Sequence, residues 1–91
     1  MPVTQKQLDT AIALARRYGA RKIILFGSAL EAPEKARDLD LACDLPGLAL
    51  FAYAGRLEEA LGLPVDVVPL TPANDFVRHI ERRGKVLYEA A

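Results

Sequence analysis

The sequence predicts an α/β (α+β) fold, a single domain in which helices pack on a small, mainly mixed β-sheet. Three observations carry this expectation. Residues 22–26, 38–45, 63–70 and 85–89 have the short, apolar or alternating composition of strands. Residues 4–18, 48–61 and 71–84 repeat apolar side chains at helical spacing instead. Glycine or proline stands at most of the junctions between these segments, where the chain must turn.

The first helix is expected over residues 4–18. Leu8, Ala11, Ile12, Leu14 and Ala15 lie on one face, Thr4 and Gln7 form a T-x-x-Q capping box, and Gly19 supplies a stop. "KIILF", residues 22–26, is β-branched and apolar and ends at Gly27, so it reads as a buried strand. A charged connector from Ala29 to Arg37, with Pro33 near its middle, has room for one helical turn. Residues 38–45 alternate and close on Pro46-Gly47, which gives a second strand and a turn.

A helix over residues 48–61 follows, ended by Gly62. Leu50, Phe51, Ala54, Leu57 and Leu61 form its expected core stripe, which leaves Leu48, Ala49, Ala52 and Tyr53 as apolar excess. "LPVDVVPL", residues 63–70, is strand-like between two prolines. Thr71, Asn74 and Asp75 are cap-type residues before Phe76, Val77 and Ile80, and that helix stops at Gly84. "KVLYE" makes a final short strand. No repeat or low-complexity linker interrupts the series, so residues 1–91 are expected to form one domain.

Bulk properties narrow the function. A chain of 91 residues has a modest core and no room for a second substrate-binding domain. Twelve basic and twelve acidic residues cancel, so no global field favours nucleic acid or an anionic membrane. No apolar run approaches the roughly 20 residues of a membrane span. "MPVTQKQLD" lacks the pattern of a secretory leader, and the single Cys43 cannot form an internal disulfide, so a cytoplasmic setting is expected. With one cysteine and one histidine, His79, a zinc-type cluster is excluded, and any metal would be a hard cation held by carboxylates.

Side chains on a strand alternate between faces, which sets Asp38, Asp40 and Asp44 with Ala42 on one side of residues 38–45 and Leu39, Leu41, Cys43 and Leu45 on the other. Acids at i and i+2 repel unless a cation lies between them. An exposed edge strand decorated with charge is the simpler account of this pair taken alone. Two further features favour chemistry. Gly27-Ser28 ends the preceding strand, where glycine lets a ligand approach the backbone and consecutive N–H groups can cradle a phosphate. Asp66 is a lone acid within the apolar run "PVDVVPL", and it would join Asp38 and Asp40 if its strand lies beside theirs. Three convergent carboxylates beside a phosphate-binding turn suit two-metal phosphoryl or nucleotidyl transfer.

Gly27-Ser28, a connector, and then Asp38-Leu39-Asp40 together resemble the G-S … D-x-D signature of the polymerase-β-like nucleotidyltransferase superfamily, with Asp66 in the place of the third acid. Length, order of elements and the C-terminal "HIERRGKVLYE" resemble its minimal nucleotidyltransferase branch. The resemblance implies a palm-like fold in which Gly27 and Ser28 hold the β- and γ-phosphates of ATP or another nucleoside triphosphate. It implies that Asp38, Asp40 and Asp66 ligate two Mg²⁺ ions, and that Asp66 also helps to deprotonate the attacking hydroxyl. By the same resemblance the chain is an antitoxin that places AMP on a tyrosine of a helical HEPN-type toxin. The turn departs from many relatives in reading Ala29-Leu30-Glu31-Ala32, without an arginine, and Lys35 or Arg37 is the expected substitute.

Other residues attract simpler readings. His79 is expected on a helix surface or lining a groove, Cys43 in the core, and Arg78, Arg82, Arg83 and Lys85 on a solvated face or at a phosphate or partner contact. Two alternatives to protein adenylylation stay open. One is a module that neutralises its partner by contact alone; the other is a small-molecule adenylyltransferase of aminoglycoside type, for which a homodimer would have to supply the missing walls.

Overall fold

The structure is a computed structural model that describes residues 3–91. Met1 and Pro2, part of the stretch read above for a leader, lie outside the described residues. Eight elements follow in order: α1 (Gln5–Arg17), β1 (Lys22–Phe26), α2 (Ser28–Glu31), β2 (Leu39–Cys43), α3 (Gly47–Leu61), β3 (Val65–Pro69), α4 (Asp75–Arg83) and β4 (Lys85–Glu89). Local signals set most of the boundaries. The capping box is complete: the Thr4 hydroxyl accepts from Gln7 N–H at 3.2 Å, and the Gln7 side chain accepts from Thr4 N–H at 2.9 Å. Asn74 caps α4 by accepting from Val77 N–H at 2.8 Å. Gly62 closes α3 in the left-handed conformation.

The strands form one mixed sheet in the order β3-β2-β1-β4. β1 runs antiparallel to both β2 and β4, whereas β2 and β3 are parallel. The parallel pair needs a crossover, and α3 provides it. α1 and α3 cover one face of the sheet, where Ile23, Leu25, Leu39, Leu41 and Cys43 pack against Ala11, Ala15, Tyr53 and Leu57. α4 covers part of the other face, where Ile80 packs on Ile24 and Ala42. Cys43 is a buried core residue, and burial pushes its thiol up. No helix among the described residues is long and apolar enough to cross a membrane.

The stripe on α3 differs from the sequence expectation in one exchange. Tyr53 is fully buried, while Phe51 is 81% exposed and Leu48 is 91% exposed. The reason lies in α1. Ala11 and Ala15 are small enough to let α3 approach, and the Tyr53 hydroxyl reaches across to donate to the Ala11 carbonyl at 2.8 Å. A buried phenol therefore keeps its hydrogen bond, and Tyr18 packs edge-on against its ring at 6.0 Å. Leu50, Tyr53, Leu57 and the half-buried Leu61 make the actual helical stripe.

Candidate active site

The site forms where the C-terminal end of β1 meets the N-terminal end of β2. Gly27 leaves β1 with φ of +75° and ψ of −155°, a conformation that residues with a side chain rarely adopt. A Cβ at this position would strike the Asp40 carboxylate, whose Cγ would be 3.1 Å away. Glycine is thus required twice over, by the backbone angle and by the close approach of Asp40. Ser28 begins the single turn of α2, and its hydroxyl donates to Asp38 Oδ1, ten positions on, at 3.2 Å. The turn and the first acid are in contact.

Asp40 stands at the centre of the acids. In the sheet register it lies opposite Phe26 on β1 and opposite Asp66 on β3. Residues paired this way share a face, so Asp40 and Asp66 point to the same side of adjacent strands. Burial, followed by the charges of Asp38 and then of Asp66, holds the Asp40 carboxyl above the usual carboxylate range. Asp40 thus feels the charge of both other acids. Among the described residues, no three His, Cys, Asp or Glu side chains form a ready-made metal cluster.

Beside Asp40, on the side away from Asp66, a cavity of about 190 Å³ opens between β1, α2 and α4. Phe26, Gly27, Glu31, Phe76, His79 and Arg83 contribute to its lining. The rings of Phe26 and Phe76 meet edge to face at 5.9 Å. A wider, open depression of about 600 Å³ lies along the end of α3 beside Gly55, Glu58 and Pro64. It gathers no comparable chemistry, because Glu58 is already engaged as the acceptor for Val65 N–H at 3.0 Å.

Residues 9–91 match the family model described as "Polymerase beta, Nucleotidyltransferase". The chain belongs to this family. Solved structures agree with that nucleotidyltransferase fold. The toxin-antitoxin complex MntA-HepT matches with a TM-score of 0.74 and 26% identity, over 96% of this chain and 74% of that one. A toxin-antitoxin complex with AMP-PNP matches with a TM-score of 0.75 and 26% identity, over 97% of this chain and 75% of that one. The tri-AMPylated HEPN toxin of Shewanella oneidensis in complex with MNT antitoxin matches with a TM-score of 0.73 and 27% identity, over 94% of this chain and 72% of that one. No curated protein matches the chain.

Within this nucleotidyltransferase the structure gathers Gly27, Ser28, Asp38, Asp40 and Asp66 at one end of the sheet. Asp44 is not among them. It follows β2 at the far end, where its Oδ1 accepts from the backbone N–H groups of Arg21 at 2.9 Å and Lys22 at 3.2 Å. Nor is the whole face acidic, since Ala42 is buried beneath α4. Arg37 lines a separate hollow with Gln7, Leu61 and Leu63.

His79, expected on a helix surface or lining a groove, lines this cavity, and α4 brings Phe76 and Arg83 with it. The signal was the periodicity of α4: Phe76, His79 and Arg83 recur at i, i+3 and i+7, on one helical face.

Proposed function

We propose that this nucleotidyltransferase moves AMP from ATP onto a hydroxyl of a protein partner, a tyrosine of a helical HEPN-type toxin, and thereby acts as its antitoxin. The observation that carries the reading is the register of Asp40 with Asp66 beside a Ser28 hydroxyl bonded to Asp38. Support for the partner and the transferred group comes from similar structures, which are antitoxins in complexes with HEPN toxins, one of the toxins AMPylated.

The donors of the site are oxygens of carboxylates and a hydroxyl, which suit a hard divalent cation such as Mg²⁺. Mg²⁺ is commonly held by one or two carboxylates, with water and substrate phosphate completing the shell. A preformed cage of protein ligands is therefore unnecessary, and the mutual repulsion that raises the Asp40 carboxyl is what a cation would relieve. Asp38 and Asp40 would hold the ions, with Asp66 completing the set. When bound, two such ions supply neutralisation of the charge that develops on the attacking and leaving oxygens.

The chain's own residues do the rest. Gly27 admits the phosphates close to the backbone, and Ser28 offers a hydroxyl beside them. Asp66, exposed on the edge strand β3, is open to an incoming acceptor and receives the proton of its hydroxyl. The acceptor oxygen bonds to the α-phosphorus, and the bond from that phosphorus to the β-phosphate bridging oxygen breaks to release pyrophosphate.

The test is transfer of label from α-labelled ATP to proteins of the native host, with Mg²⁺, comparing wild type with Asp40→Asn. A labelled band that depends on Asp40 supports the reading. Intact neutralisation of the partner with no detectable transfer by wild type would favour the module that acts by contact alone.

A further inference from the structure

The strand order gives the site a direction. Asp66 on β3, Asp40 on β2 and Phe26-Gly27 on and after β1 succeed one another across the sheet, and the cavity beneath α4 comes next. Displacement at phosphorus is in line, so the attacking and leaving oxygens lie on opposite sides of the reacting atom. With the acceptor hydroxyl beside Asp66 and the α-phosphate over Asp40, the leaving diphosphate must depart past Gly27. That path ends in the cavity.

The cavity holds the cation that the turn lacks. Residues 28–32 read Ser-Ala-Leu-Glu-Ala, with one acid and no base. Arg83 and His79 line the cavity from α4, and among the described residues neither makes a salt bridge. Arg78 of the same helix is committed to Asp75 at 3.0 Å, and Arg82 does not line the cavity. Phe26 and Phe76 form apolar walls, which lower the local polarisability and strengthen an arginine–phosphate attraction. Glu31 is the opposing charge in the same lining.

We infer that Arg83, assisted by His79, reaches the β,γ-diphosphate from this cavity and neutralises the pyrophosphate as it leaves. This inference rests on the nucleotidyl-transfer reading and adds to it two residues of α4 on the leaving-group side. It also makes Glu31 a brake, since its carboxylate opposes the same anion.

The experiment is calorimetric titration of the full chain with Mg²⁺-ATP, Mg²⁺-pyrophosphate and AMP, for wild type, Arg83→Gln, Arg82→Gln and Glu31→Gln. Arg83 is exposed, and its replacement leaves the core intact. Arg83→Gln should weaken ATP and pyrophosphate binding about tenfold or more and leave AMP unchanged. Arg82→Gln should match wild type, and Glu31→Gln should tighten pyrophosphate. Equal losses for AMP and ATP in Arg83→Gln would put the nucleoside in the cavity and overturn the inference. Wild-type ATP affinity in Arg83→Gln would overturn it too, while leaving the transfer reading intact. A wild-type chain that binds no nucleotide would sink both.

Discussion

Asp40 and Asp66 face each other directly across the parallel pair β2 and β3, although 26 positions separate them in the chain. Two carboxylates in this relation, with Asp38 close by, place an electrostatic cost on the fold when no cation is bound. The Asp40 carboxyl, raised by burial and by its two neighbours, binds its proton more tightly in the folded chain than in the unfolded one. The cost is therefore absent in acid, sets in as pH rises through the carboxylate range, and is complete above the raised value. At neutral pH without Mg²⁺, Asp40→Asn should melt at a higher temperature than wild type, and the gap should close in acid. Added Mg²⁺ should raise the wild-type melting temperature and leave the variant's unchanged. A wild type that melts higher than Asp40→Asn at neutral pH in the absence of metal would contradict this account.

In the proposed transfer Asp66 takes the acceptor's proton as well as completing the metal site. Asp66→Asn should retain most of its ATP affinity in equilibrium titration while single-turnover transfer slows by about 10²–10⁴-fold. Parallel losses in affinity and rate would mean that Asp66 mainly binds nucleotide.

Gly27 admits no side chain. Gly27→Ala would combine an unfavourable φ with a collision against Asp40, and should cost about 1–3 kcal/mol in denaturant unfolding together with nearly all transfer. The double variant Gly27→Ala, Asp40→Ala should recover stability only in part, because the backbone angle remains.

Asp44 belongs to the fold and not to the chemistry. Asp44→Ala removes the acceptor for two backbone donors at the start of β1 and should lower stability by about 1 kcal/mol, with transfer per folded molecule unchanged. Activity measured against the folded fraction from circular dichroism separates the two effects.

On α3, neighbouring aromatic positions should respond in opposite ways. Tyr53→Phe removes the hydroxyl that donates to the Ala11 carbonyl and should cost about 1 kcal/mol, whereas Phe51→Ser should stay within about 0.5 kcal/mol of wild type. Urea unfolding of the two variants decides it. A larger loss for Phe51→Ser would mean that α3 packs through its other face.

Local sequence suffices for the elements and for the neighbouring acids Asp38 and Asp40. Caps, helical periodicity and strand alternation act within a few residues, so Thr4, Gln7, Asn74 and Gly62 mark helix ends wherever the helices later pack. The same holds for Asp38 and Asp40, whose closeness follows from neighbouring positions in one segment. Long-range packing sets which strands are neighbours, and thus that Asp66 joins Asp40. It also decided that Tyr53 and not Phe51 turns inward, because the small side chains of α1 create the space and Ala11 supplies the acceptor. α4 likewise brings His79 and Arg83 to the cavity at Gly27 only after crossing the sheet. Pairing and facing depend on contacts between residues far apart in the chain, and no local pattern carries that information.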